Sequence, residues 1–186
     1  MGDNLMPIAT VDASKVTAII PYGIPVNAQQ QVLVLRANAY SLPVQVNLAA
    51  QNPAIFTTDG SQGMILDVKG NVIGPGNAAK PGDSITIWCT GLGELQPMVT
   101  AGDQGTATST VAAPVSLSIG GRAAAIQFSG LAPQLVGIYL VQATVPSGVA
   151  TGDQVPVTLS AVAGSTLHPT VAQFVVSPSV TMAIAN

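Results

Sequence analysis

The chain has 186 residues and a formal net charge of −3; apolar residues make up 48% of it and charged residues only 7%. Soluble proteins usually carry about 25% charged residues, so we expect Thr, Ser and Gln to form most of the solvent-facing surface. Nucleic acids and anionic membranes attract clustered cations, and the five basic residues are scattered, so we expect neither partner. No apolar run approaches the roughly 18 to 20 residues that span a bilayer, so we expect no membrane insertion.

Residues 1–50 contain short β-type runs separated by turns. Their patterns predict strands over residues 16–20, 31–36 and 43–48, with a further short run near residues 8–11. Residues 31–36 are apolar on both faces, which is typical of a strand that is buried on both sides or lies at an interface. Residues 43–48 have one apolar and one polar face, which predicts a half-buried strand.

The most regular stretch is residues 81–93, and we expect the rest of the fold to pack against it. A Pro-Gly turn opens it, and it ends at Gly91-Leu92-Gly93, where glycine permits a turn at little steric cost. Between these turns the side chains alternate with the period of a strand. One face carries Ile85, Ile87 and Cys89, and the other carries Thr86, Trp88 and Thr90.

Further strands are predicted on both sides of this stretch. Gly120-Gly121 joins two alternating runs, which predicts a hairpin because a two-residue turn needs positive φ angles. Residues 94–113 have little pattern and are expected to form a surface excursion with one edge strand near residues 106–111. No segment has a helical period, so we expect minimal helix. The other predicted strands cover residues 54–58, 62–67, 114–119, 122–128, 136–145, 155–162 and 170–176, and residues 180–185 read as a spare strand.

Residues 16–48 share a pattern with residues 140–174. In each, a β run ends at a proline, the middle of a β-branched strand follows eleven residues later, and another proline then opens a further strand. An internal repeat explains this pattern. The alternative is that any two β segments with prolines at their turns would align equally well. The corresponding residues are Pro21 and Pro146, Val32 and Val157, and Pro43 and Pro169.

Residues 80–93 are similar to the "PGD-strand-TGLG" signature of an uncharacterised C-terminal repeat in large secreted acidobacterial proteins. Residues 118–124, 130–133, 136–139 and 145–148 continue the resemblance. Those repeats look like the IPT/TIG branch of immunoglobulin-like domains. The resemblance implies an all-β immunoglobulin-like sandwich and an extracellular or cell-surface location in a bacterium, and it brings no catalytic residues with it.

The repeat and the resemblance together predict the domain organisation. We expect a complete immunoglobulin-like unit over residues 51–178, preceded by the closing strands of a partial unit over residues 1–50 and followed by an extra C-terminal strand over residues 179–186. A partial sandwich exposes open strand edges. We therefore expect a non-catalytic structural or adhesion module, which assembles into a head-to-tail filament when the tail or residues 1–11 complete a partial unit.

The reactive residues argue against an enzyme. His168 is the only histidine, it precedes Pro169 in a predicted turn, and no Gly-x-Ser-x-Gly elbow accompanies it, so we interpret it as a surface residue. Cys89, the only cysteine, lies on the apolar face of the central strand and is expected to be an inert core thiol. Zinc needs three or four ligands of this kind, so we expect no metal and no other cofactor.

The acidic residues lie mostly in predicted turns. Asp59-Gly60-Ser61 and Asp67 with Asn71 match fragments of calcium loops, but calcium requires about six oxygen ligands. We therefore expect these carboxylates to bond the backbone of their own turns. Scattered acids do not form the carboxylate pair of a glycosidase, and Gly91-x-Gly93 is too short for a phosphate loop. Three further acids follow a glycine and receive the same interpretation: Asp83, Asp103 and Asp153.

The alternative function is that of a carbohydrate-binding module. Its candidate platforms for stacking against a sugar ring are the aromatic side chains Trp88, Tyr22, Tyr40 and Tyr139. Trp88 is the main candidate, and it is either exposed or packed beneath residues 94–113. We favour packing, because a large aromatic ring dominates the core that it joins.

Overall fold

The computed structural model describes residues 4–163 and 173–186. These residues form strands, bridges and turns, and none of them lies in a helix, so the prediction of an all-β fold is confirmed. No helix able to cross a membrane occurs among them. The strands in chain order are β1 (Ile8–Val11), β2 (Val16–Ala18), β3 (Ala28–Val32), β4 (Leu35–Arg36), β5 (Ala39–Tyr40), β6 (Val44–Leu48), β7 (Ala54–Ile55), β8 (Ile65–Leu66), β9 (Ser84–Thr90), β10 (Leu95–Gln96), β11 (Thr110–Val111), β12 (Val115–Ile119), β13 (Arg122–Leu131), β14 (Tyr139–Thr144), β15 (Gly152–Ala163), β16 (Gln173–Val176) and β17 (Val180–Ile184).

The larger part of the fold is one eleven-stranded sheet. Its main path is β16-β15-β12-β13-β14-β9-β7; β8 pairs with β9, β17 pairs with β15, and β10 and β11 extend from β13. The long strand β13 changes partner along its length, because residues 122–124 pair with β12 and residues 125–131 pair with β14. This change of partner allows the sheet to curl around a core.

The two ends of the curled sheet approach each other. Thr181 of β17 donates its backbone N–H to the carbonyl of Ser61 and accepts from the N–H of Gly63, both at 2.9 Å. Further along the strand, Ala79 donates to the carbonyl of Ala183 at 3.0 Å. The sheet is therefore nearly closed, in the manner of a barrel.

The C-terminal segment is an integral strand, and its interpretation as a spare strand without a partner is wrong. β17 pairs antiparallel with β15 between Gly152 and Val157. Its side chains at Val180, Met182 and Ile184 are at most 4% exposed. The sequence pattern identified the strand, but its partners lie far away in the chain, so the pattern could not identify them.

The core centres on β9, as the alternation predicted. Ile85, Ile87 and Cys89 are at most 2% exposed. The predicted hairpin between β12 and β13 is also confirmed, with φ angles of +56° at Gly120 and +77° at Gly121. Other strands complete the core with Ile65, Leu117, Ile119, Leu131, Val141, Ala143, Val157, Leu159 and Met182, among others.

Residues 4–50, here called the N-terminal arm, form only two-stranded sheets. β1 pairs with β2, β3 with β6, and β4 with β5. The last two pairs form one long hairpin whose tip is Ala37-Asn38, with a φ of +52° at Ala37. Two-stranded hairpins are at best marginally stable alone in water. The small core of the arm comprises Ile24 and Leu48, with Met6, Val32 and Val46 packed against them.

The arm exposes much of what the sequence predicted to be covered. The predicted strand over residues 31–36 is interrupted, because β3 ends at Val32 and β4 begins at Leu35. Leu33, Val34 and Leu35 are 40% to 56% exposed. Burial on both sides is therefore wrong, since no second layer packs on this part of the hairpin in the described residues. That the segment lies at an interface stays a prediction.

Candidate functional site

The N-terminal arm carries most of the exposed apolar surface. Of the eighteen large hydrophobic side chains that are exposed in the described residues, twelve lie in the arm. Such a concentration of exposed apolar side chains in one segment favours a contact surface. The twelve are Leu5, Ile8, Val11, Val16, Ile20, Val26, Leu33, Val34, Leu35, Tyr40, Leu42 and Val44.

The hairpin of β3 and β6 has one face suited to a core and one suited to solvent. Its register places Ala28 opposite Leu48, Gln30 opposite Val46 and Val32 opposite Val44. Leu48 is buried at one end of the apolar face, whereas Val44 at the other end is 60% exposed. The apolar face is thus covered at its base and open towards its tip. The opposite face carries only amide side chains, from Gln29, Gln31, Gln45 and Asn47.

Strand β3 also has an open edge. Within the described part of the chain it pairs with β6 alone, whereas β15, its counterpart in the predicted repeat, pairs with β12, β16 and β17. Backbone N–H and C=O groups along an open edge can pair with another strand. In the larger sheet, β12 pairs with one edge of β15. The corresponding edge of β3 has no partner in the described residues.

Two tyrosines attach the arm to the larger sheet. The hydroxyl oxygens of Tyr22 and Tyr139 lie 2.8 Å apart, and the Tyr139 hydroxyl donates to the carbonyl of Gly93. Because the proton of Tyr139 is used in this way, Tyr22 donates to Tyr139. Burial is the main cause that raises the pKa of both tyrosines. Neither ring is a free stacking platform.

Trp88 lies on the outer face of the larger sheet and is partly exposed. It lines a groove of about 470 Å³ whose walls come from β9, β13, β14 and the turn at Asp67–Gly70. Its indole nitrogen is buried and has no acceptor among the described residues. The remaining candidate, Tyr40, is 70% exposed near the tip of the arm hairpin.

Sequence reasoning missed two residues of this groove. Gln142 of β14 and Gln127 of β13 also line it. Gln142 lies opposite Thr86 of β9. The polar outward face predicted for β9 was therefore a signal that a neighbouring strand would place a polar side chain beside it. Gln127 occupies a shift of register between Ile126 and Phe128, and nothing in the local sequence pattern signals that irregularity.

Asp59 and Asp67 bond the backbone of their own turns, as predicted. Asp59 accepts hydrogen bonds at Oδ1 from the backbone of Ser61 and Gln62, at 2.9 and 2.7 Å. Asp67 accepts from the backbone of Lys69 and Asn71 at Oδ1, and from the Asn71 and Asn77 amides at Oδ2. The Asn71 backbone bond is the largest cause that lowers the pKa of Asp67 to about 2. No cluster of metal-ligating side chains occurs in residues 4–163 and 173–186.

Cys89, the other reactive side chain considered beside His168, lies in the core. Cys89 is fully buried on β9, and burial raises the pKa of its thiol to about 12. A thiol is a poor nucleophile when its thiolate is so disfavoured, which agrees with the predicted core role. The predictions for His168 and Pro169 lie outside the described residues.

Comparisons of the chain with protein-family models, with curated proteins and with solved structures find no match.

Proposed function

We propose that this chain is a non-catalytic structural module that self-associates head to tail by adding a strand of a second copy to the open edge of β3. The observation that carries the proposal is a contrast within residues 4–163 and 173–186: β3 has one neighbouring strand there, and β15 has three. A strand added to β3 would pair with its open backbone groups, and apolar side chains of the second copy would pack on the exposed end of the hairpin's apolar face. The arm would then contain a sheet of at least three strands instead of an isolated hairpin.

The most suitable donor edge is β16. It lies at the end of the sheet path, and among the described residues it pairs with β15 alone. Two of its four residues, Phe174 and Val176, are large apolar side chains that are 61% and 57% exposed. β17 is unsuitable, because both of its sides are paired within the chain. Since β3 and β16 are different surfaces, their contact is heterologous and repeats along a filament unless it closes into a ring.

Charge supports a second copy as the partner. In the described part of the arm the charged side chains are Asp12, Lys15 and Arg36, and the first two lie in the β1–β2 turn. Copies of the same chain would therefore meet with little electrostatic repulsion at β3. The contact would rest on apolar burial, at about 25 cal/mol per Å² of covered surface, and on backbone hydrogen bonds.

We further propose that the larger sheet is an immunoglobulin-like sandwich of the IPT/TIG type. The support is the strand order, in which β7, β9, β14 and part of β13 would form one layer, and β12, β15, β16 and β17 the other. An arrangement of antiparallel strands in two layers is typical of such domains. The resemblance of residues 80–93 to a repeat in secreted bacterial proteins supports a role at the cell surface, where the module would space or assemble other parts.

Sedimentation velocity over a range of protein concentrations tests self-association. We expect the unmodified chain to form species larger than the monomer, with a weight-average sedimentation coefficient that rises with concentration. Val44→Lys on the open apolar face should weaken association by at least about tenfold, because a lysine would be desolvated at the contact. Val68→Lys is the matched control, since Val68 is also an exposed valine but lies in the turn beside the groove.

Each outcome decides the proposal. Association that is lost in Val44→Lys and in Phe174→Lys, but kept in Val68→Lys, supports contact between the arm of one copy and β16 of the next. A monomeric chain at every concentration, or association that is unaffected by Val44→Lys, would sink the proposal.

A further inference from the structure

We infer that the groove beside Trp88 is a binding site for a neutral carbohydrate. The groove lies on the outer face of the larger sheet, and its volume of about 470 Å³ falls within the range of small-molecule sites. It is independent of self-association, because β3 and β16 contribute nothing to its lining.

The floor of the groove presents unused hydrogen-bonding groups. The hydroxyls of Ser84 and Thr86 and the amide of Gln142 form no side-chain hydrogen bond within the part of the chain that the structure describes. Gln127 donates through Nε2 to the Thr144 hydroxyl at 2.8 Å, which leaves its Oε1 as an acceptor. Paired strands hold these groups in register, with Thr86 opposite Gln142. Such a set of donors and acceptors suits adjacent hydroxyl groups.

Trp88 supplies the apolar element of the same groove. Its backbone is fixed by two hydrogen bonds: its N–H donates to the carbonyl of Met64 at 3.1 Å, and its carbonyl accepts from the N–H of Phe56 at 3.0 Å. The partly exposed ring stands on the same strand face as Thr86, two residues away. A sugar has a face of C–H groups that packs on an aromatic ring and a rim of hydroxyls that hydrogen-bonds, and this groove offers both kinds of contact.

Charge narrows the ligand class. Asp67 is the only acidic residue among those that line the groove. Both of its carboxylate oxygens accept hydrogen bonds, from Lys69, Asn71 and Asn77. The groove includes no basic residue, so a phosphate or an acidic sugar would find no counter-charge. A purely apolar ligand would leave the Gln142 amide and the Thr86 hydroxyl unpaired and desolvated, which is costly. A neutral, hydroxyl-rich ligand satisfies all of these conditions.

The chain is suited to a direct test, because Trp88 is its only tryptophan and therefore reports on its own groove. Titration with neutral gluco-, xylo-, manno- and galacto-oligosaccharides, up to about 5 mM each for weak binding, should change the fluorescence of Trp88 for at least one series. Calorimetry of the same mixtures provides a second readout that does not depend on tryptophan.

Three variants identify the site. Trp88→Ala should abolish binding, but the loss of this large ring also disturbs the packing around it. Gln142→Ala is therefore the decisive variant, because Gln142 is exposed. The loss of its amide should weaken binding by about five- to tenfold. Gln45→Ala, an exposed glutamine on the arm, is the matched control and should bind like the unmodified chain.

No fluorescence or heat change with any of the four series would overturn the inference, as would binding that is unchanged in Gln142→Ala. Loss of sugar binding in Gln142→Ala with unchanged sedimentation separates this site from the contact at β3. The two proposals can therefore fail independently of each other.

Discussion

The hydroxyl oxygens of Tyr22 and Tyr139 lie 2.8 Å apart and join the N-terminal arm to the larger sheet. Tyr139 is 5% exposed, and its hydroxyl donates a hydrogen bond to the carbonyl of Gly93. Ile19 of the arm lies close to Gly137 at the same junction. A Cβ added to Gly137 would lie 2.6 Å from the Cδ1 atom of Ile19. The tyrosine pair and the proximity of Ile19 to Gly137 both tie the arm to the larger sheet.

The tyrosine pair predicts a coupled loss of stability. Tyr139→Phe should lower the free energy of unfolding by about 1–3 kcal/mol, because it leaves the Gly93 carbonyl and the Tyr22 hydroxyl without partners. Tyr22→Phe should cost about 1 kcal/mol, and the double variant should cost less than the sum. Urea denaturation measures all three, with Tyr40→Phe as the exposed control. Strict additivity would show that the two hydroxyls do not interact.

The same pair predicts a loss of stability at alkaline pH. The pKa of each tyrosine is raised in the folded chain, so both stay protonated when the unfolded chain begins to ionise near its ordinary tyrosine pKa of about 10. The folded state then binds more protons than the unfolded state, and stability falls as pH rises. Tyrosine ionises in neither state below about pH 9, so the tyrosine contribution to this decline begins above that pH. Tyr139→Phe should flatten the decline above it; an unchanged slope would contradict this explanation.

Gly91 predicts a large effect of a single methyl group. Its φ is +75°, and an added Cβ would lie 1.9 Å from the backbone oxygen of Asn52. Gly91→Ala should therefore destabilise the fold by more than about 3 kcal/mol, through backbone strain and a clash with the main chain. Gly70→Ala is the control: its φ is +84° with nothing within 4 Å, so only the strain of about 1–2 kcal/mol should remain. Equal losses in thermal denaturation would show that the contact at Asn52 is not rigid.

We expect the labelling of the Cys89 thiol to report global unfolding. Its side chain is fully buried, and burial raises the pKa of the thiol to about 12. A disulfide reagent should therefore react only as the chain unfolds in urea, following the same transition as Trp88 fluorescence. Cys89→Ser should lower the free energy of unfolding by about 1–3 kcal/mol, because it buries a hydroxyl without a partner. Rapid labelling of the native chain at neutral pH would contradict this picture of the core.

We expect the contribution of Asp67 to the stability of the fold to disappear in acid. Backbone and amide hydrogen bonds, that of the Asn71 N–H first, lower the pKa of its carboxyl to about 2. Its stabilising effect is therefore complete above the ordinary aspartate pKa of about 3.9 and is lost as pH falls towards 2. Asp67→Ala should melt at a lower temperature than the unmodified chain at pH 7, and this difference should shrink by about pH 2. Asp103→Ala, in another exposed turn, is the control at pH 7; a difference that persists unchanged in acid would contradict the assignment.

Local pattern predicted the parts of this fold that local chemistry determines. The alternation in β9 identified the buried face of Ile85, Ile87 and Cys89, and Gly120-Gly121 identified the turn, because a side-chain period and a φ requirement are properties of a few adjacent residues. The turn roles of Asp59 and Asp67 were predictable for the same reason.

Distant pairing could not be predicted in this way. β17 alternates like any half-buried strand, but its contacts with Ser61 and Ala79 join residues more than 100 positions apart in the chain. The pattern of β9 also placed Trp88 on the outer face without indicating what lies around it. Gln127 and Gln142 reach the groove through strand register, and for Gln127 through an irregularity of that register.

Hydrogen exchange of the peptide spanning β3 measures whether this strand acquires a partner from a second copy. Exchange followed by mass spectrometry, at a concentration where the chain is monomeric and at one where it associates, should show protection of residues 28–32 that rises with concentration. The same peptide in Val44→Lys should exchange at the monomer rate at both concentrations, while residues 84–90 of β9 should be protected throughout. Exchange of β3 that does not change with concentration in a sample that associates would contradict the account.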